Sequence, residues 1–73
     1  MAYPNPSEDW VRVELRGYAG PYTLEMSDLQ GRVLLRRELL SGERISLEGL
    51  PAGVYVLRAR VGDGAFLGML VRR

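Results

Sequence analysis

Glycine, proline and aspartate interrupt this chain at intervals of about ten residues, and that rhythm limits what it can fold into. "YPNPSED" opens it. "GYAGP" follows at 17–21, "SDLQG" at 27–31, "SGE" at 41–43, "EGLPAG" at 48–53 and "GDG" at 62–64. The runs between are about 5–8 residues long, which is strand length and too short for most helices. Inside the runs, apolar residues recur at every second position. Val11, Val13 and Leu15 share one face of "WVRVEL"; Trp10, Arg12 and Glu14 share the other. Tyr22, Leu24 and Met26 alternate with Thr23, Glu25 and Ser27. In "VYVLRARV", Tyr55, Leu57, Ala59 and Val61 form an unbroken apolar face, while the opposite face reads Val54, Val56, Arg58, Arg60. Successive strand side chains point to opposite sides, so each run predicts one buried and one wet face. The expected fold is all-β: an antiparallel, immunoglobulin-like β-sandwich of about seven short strands.

Two runs are less regular. "VLLRRELL" at 33–40 puts Arg37 on the same strand face as Val33, Leu35 and Leu39, and its composition also suits a helix. Gly31 and Gly42 bound it too closely for a supported helix, so it reads as a strand. "AFLGMLV" at 65–71 is apolar on both faces. It is either a central strand covered on both sides or an edge strand built to meet a partner.

The turns carry their own chemistry. Asp28 first and Gly31 fourth suit a type I turn followed by a glycine at positive φ. Pro51 at the second position of Leu50–Gly53 and Gly53 at the fourth suit another turn. "GDG" suits a short hairpin of the Asp-Gly kind. Gly31 and Gly53 are expected to be structural requirements.

Composition removes whole classes of function. With 73 residues there is room for one domain, 1–73, and about 60% of the unfolded surface can be buried. There is no cysteine, so packing alone must hold the fold. There is no histidine, the commonest general base and metal ligand. All ten basic residues are arginine, which reads as genomic base-composition bias and leaves no lysine for Schiff-base chemistry. A net charge of +1 argues against nucleic-acid partners. No apolar run approaches the roughly 20 residues of a membrane span, and the N-terminus lacks the pattern of a signal peptide. Asp28, Glu43, Glu48 and Asp63 supply too few carboxylates at fixed spacing for calcium. No catalytic residue, metal ligand or cofactor site is expected.

"YPNP", "SDLQGRVL" and "LEGLPAGVYVLRARV", followed by an apolar closing strand, stand in a characteristic order and spacing. Over residues 3–73 the chain resembles the C-terminal sorting domains (type A) of proteins exported by the type IX, or Por, secretion system. The resemblance implies a seven-stranded immunoglobulin-like sandwich joined to an upstream cargo domain. It implies that the cargo crosses the periplasm of a Gram-negative bacterium and is recognised by the outer-membrane translocon. It also implies that a surface sortase removes the domain and exchanges it for a surface anchor, leaving the cargo secreted or on the cell surface. Residue by residue, Asp28, Gly31 and Arg32 fall on the family's aspartate-glycine-basic turn, and Pro51, Gly53 and Tyr55 on its second glycine motif. The terminal motif falls on Met69, Leu70, Val71, Arg72 and Arg73, where the basic residue is displaced from the family's usual place.

Each motif also has a purely structural reading. Turn chemistry accounts for Asp28 and Gly31, though not for Arg32. Tyr55 reads as a core residue whose hydroxyl reaches a backbone or water partner. Trp10, Tyr3, Tyr18 and Tyr22 read either as packing or as an aromatic platform for sugars. Two other functions compete with the sorting signal: an adhesion or scaffold module similar to the immunoglobulin-like domain of flagellar hook-cap proteins, and a carbohydrate-binding accessory domain. The sorting function expects the domain to be the last element of its parent.

Overall fold

The structure is a computed structural model that describes residues 2–3 and 9–73, the first two by backbone alone. The proline-rich part of "YPNP" and the side chain of Tyr3 lie outside the described residues.

Alternation and turn spacing produce the expected strands: β1 (Ala2–Tyr3), β2 (Trp10–Val13), β3 (Pro21–Ser27), β4 (Val33–Leu40), β5 (Arg44–Ser46), β6 (Gly53–Val61) and β7 (Gly64–Arg72). The count is seven with the two-residue β1 and six without it. No helix occurs among the described residues. One sheet has the order β1-β2-β5 and the other β4-β3-β6-β7, with every pairing antiparallel. Lettered as an immunoglobulin domain, these are A-B-E against C′-C-F-G, with the fourth strand paired to the third.

The core forms where the two apolar faces meet. Val11, Val13, Leu15, Ile45 and Leu47 come from the three-stranded side. Tyr22, Leu24, Met26, Leu39, Tyr55, Leu57, Ala59 and Leu70 face them. Period two assigned most of these inward from sequence, but not Ile45, Leu47 and Leu70; Val61 packs against the margin of the core.

Three local expectations are corrected. Met26 pairs with Leu35 but Ser27 pairs with Val33, so Leu34 is an extra residue in β4. This bulge turns Val33 onto the outer face opposite Ser27, away from Leu35 and Leu39, and leaves it exposed. The hydrogen-bonded turn before β6 is Leu47–Leu50, where Leu50 N donates to Leu47 O. Gly49 at φ 87° takes its left-handed position, and Gly53 at φ 157° enters the strand close to extended. The β6–β7 hairpin pairs Val61 with Gly64 across a two-residue loop, Gly62-Asp63. Only Gly62 has positive φ there, which is the type II′ pattern with glycine first rather than an Asp-Gly turn.

Candidate functional site on an exposed apolar sheet face

In the strand order of the larger sheet β7 stands last, beside β6. The reading of "AFLGMLV" as a strand covered on both faces is corrected by the exposure of its side chains. Only Leu70 is buried along β7. It faces the core opposite Tyr55. Phe66, Leu67, Met69 and Val71 are 60%, 69%, 56% and 40% exposed.

Cross-strand register gathers these residues into a patch. On the outer face Val54 pairs with Val71, Val56 with Met69 and Arg58 with Leu67. Side chains directly opposite on one face touch, so the valines of β6 and the apolar residues of β7 form one continuous surface. Exposed apolar surface of this kind marks an interaction site.

At the other end of the sheet order, β4 is protected against pairing. β4 carries Arg36, Arg37 and Glu38 along its middle and the Leu34 bulge at its start. Arg36 Nε lies 3.2 Å from Glu25 Oε2 on the neighbouring strand. Charge and bulges are the usual devices against edge-to-edge pairing. β7 carries no charge from Gly64 to Val71 and has no bulge against β6.

The first glycine motif builds the β3–β4 hairpin. Gly31 N donates to Asp28 O at 3.1 Å, and Asp28 N donates to Arg32 O at 3.0 Å. Gly31 sits at φ 88°, as expected, a conformation that a side chain would strain. Asp28 Oδ1 accepts from Arg32 N at 2.9 Å and Gln30 N at 3.0 Å. Its Oδ2 receives Arg32 Nε at 3.1 Å. The backbone bond from Arg32, helped by that from Gln30 and by the Arg32 guanidinium, holds the Asp28 carboxyl below its ordinary range. The arginine that turn chemistry left unexplained therefore clamps the turn's own aspartate.

The second motif is a tyrosine corner. Tyr55 lies near the start of β6 and its hydroxyl donates back to Pro51 O. That bond fixes the angle at which the chain leaves the β5–β6 loop and enters the sheet. At the far end of β7, Arg72 Nε donates to Leu47 O at 3.2 Å, tying the strand's end to the same loop. Arg73 is exposed.

The residues selected from sequence therefore separate into three places. Asp28, Gly31 and Arg32 lie in one hairpin. Pro51, Gly53, Tyr55, Leu70 and Arg72 cluster at the loop that seats β6 and β7. Met69 and Val71 lie on the open patch. Sequence reasoning left out Val54 and Val56, which complete that patch together with Leu67 of the closing strand. The half-apolar face of "VYVLRARV" was the available signal, but only pairing with β7 gives it meaning.

Trp10 lies on the outer face of the smaller sheet. The Arg44 guanidinium is 4.1 Å from its ring centroid and that of Arg12 is 5.5 Å away. Its face is occupied by cations rather than open for a sugar ring.

A model of the family described as "Secretion system C-terminal sorting domain" matches residues 1–71 of the 73. No curated protein matches the chain.

Proposed function

The chain belongs to the type IX secretion C-terminal sorting-domain family, and from that premise we propose that residues 1–73 form a single address domain read through the exposed apolar face of β6 and β7. The family is one of sorting signals for export, not a catalytic family, and its members' destination is the surface or the medium. In our reading an upstream cargo domain travels with this one through the periplasm to the outer-membrane translocon. There the machinery docks on the exposed outer face of β6 and β7. Burial of the patch of Val54, Val56, Leu67, Met69 and Val71 gives affinity. The Asp28–Arg32 hairpin and the Tyr55 corner hold the sandwich in the shape that presents this face. A surface sortase then removes the domain and exchanges it for an anchor on the cargo.

The observation that carries this reading is the continuous exposed apolar patch that Leu67, Met69 and Val71 of β7 form with Val54 and Val56 of β6. The carbohydrate alternative loses its principal platform because Trp10 lies against Arg44.

The test is a reporter fused upstream of residues 3–73 and expressed in a bacterium with the type IX system. Leu67→Lys with Met69→Lys places two charges on exposed positions, so the fold should survive by circular dichroism. The reporter should then accumulate in the periplasm. Normal surface delivery of the folded double variant would sink the reading. Leu70 is unsuitable for this purpose, because a charge there enters the core.

A further inference from the structure

The outer face of the larger sheet changes character along its strands. Arg36, Glu25 and Arg58 stand in one cross-strand row on β4, β3 and β6. Glu38, Thr23 and Arg60 form the row on one side of it. The row on the other side reads Val33, Ser27, Val56 and then Met69 of β7. One end of the face is therefore charged and the other mostly apolar.

The charged end carries both signs. Arg36 Nε lies 3.2 Å from Glu25 Oε2. Arg58, Arg60 and Glu38 are exposed, and none of the three is in an ion pair among the described residues. A purely anionic partner would meet Glu25 and Glu38 as well as the arginines, and like charges set opposite one another repel. The face fits a surface that has both signs in the reverse strand order and an apolar end at the same end.

A second copy of the chain has that surface. Turning it about an axis parallel to the strands, between β3 and β6, keeps each row's place along the strands and reverses the strand order. Apolar rows then meet apolar rows. Glu25 of each copy lies over Arg58 of the other, and Arg60 lies over Thr23 with Glu38 beside it. Val33, which the bulge leaves 52% exposed, lies over Met69. Sheets packed face to face keep their strand directions within about 30°, so registry is best kept by the two strands flanking the axis, and these carry Glu25 and Arg58. We infer that the domain pairs with a second copy of itself through this face, as a two-fold dimer with a Glu25–Arg58 contact on either side of the axis. The dimer covers the patch on which the machinery docks in the reading above, so the two occupants exclude one another. Pairing needs no secretion machinery and is tested on the domain alone.

Sedimentation equilibrium of residues 1–73 from about 10 µM to about 1 mM should follow a monomer–dimer equilibrium. Arg58→Glu puts like charges at the contact, and so does Glu25→Arg. Each folded variant alone should pair at least about tenfold more weakly. Mixed in equal amounts, the two should recover the dimer as a heterodimer, because opposite charges then meet at both contacts. A general loss of stability would not be repaired by mixing. Arg16→Glu, the same charge change at an exposed loop position, should pair like the parent chain. Circular dichroism checks each variant's fold. If either fails to fold, amide shifts of the unaltered domain on dilution decide the matter: those of Val33, Val56 and Arg58 should move, and those of Val11 and Ile45 should not. A chain that stays monomeric to the highest concentration overturns the inference. So do shifts confined to other surfaces, or folded charge variants whose mixture pairs no better than either alone. A monomeric chain whose export is still blocked by Leu67→Lys with Met69→Lys would remove the dimer and leave machinery docking in place.

Discussion

Tyr22 and Tyr55 both point into the sandwich, yet their hydroxyls have opposite fates. Tyr55 finds Pro51 O, and the bond closes the corner at which β6 begins. Tyr55→Phe removes the bond without opening a cavity and should cost about 1 kcal/mol. In a domain this small that is a fall of about 4–8 °C in thermal midpoint, measurable by calorimetry. The Tyr22 hydroxyl is buried with no hydrogen-bond partner among the described residues. Burial, and then the nearby Glu43 carboxylate, push its pKa up to about 12 from an ordinary 10. The folded state therefore favours the neutral phenol more than the unfolded chain does. That contribution is complete below pH 10 and is lost as pH climbs from 10 towards 12. Tyr22→Phe should leave the midpoint at pH 7 unchanged or higher, because it removes an unpaired polar group. It should also delay alkaline unfolding in a series of melts from pH 8 to about 12. A marked loss of stability at pH 7 would mean that the hydroxyl has a partner after all.

At the scale of strands, position in the sheet governs protection. β3 and β6 are hydrogen-bonded on both sides, whereas β4 has one neighbour among the described residues. The amides of Leu24, Met26, Leu57 and Ala59 should exchange with deuterium most slowly. Alternate amides along β4, directed away from the sheet, should exchange much faster. Uniform protection along β4 in the free domain would contradict its place at the end of the sheet order. The surface ion pair between Arg36 and Glu25 is worth little as stability, at about 0–1 kcal/mol. Its consequence is the charge it keeps on β4, which discourages a foreign strand from pairing there.

Across the whole molecule, the radius of gyration of 11.3 Å agrees with the roughly 11 Å of a compact chain of this length. Pairing is mostly non-local: Val11 meets Ile45, and Thr23 meets Arg60. Loop closure must precede such contacts, so folding should take milliseconds to seconds and follow one exponential by stopped-flow fluorescence of Trp10. Microsecond folding would contradict the topology. What the sequence determined by itself was local. Backbone geometry sends alternate side chains to opposite faces, so period two identified Val11, Leu24, Met26, Leu57 and Ala59 as core. Asp28 and Gly31 wrote their hairpin because the turn needs a carboxylate acceptor and a residue at positive φ. The family motif was legible for the same reason, since it consists largely of these turn and corner residues. What only the tertiary structure decided was adjacency. An apolar run such as "AFLGMLV" has the same composition whether covered on both faces or exposed on one. The bulge at Leu34 and the union of Val54 and Val56 with Met69 and Val71 both depend on which strand lies next to which. That choice is made by contacts between residues far apart in the chain, and no local pattern encodes it.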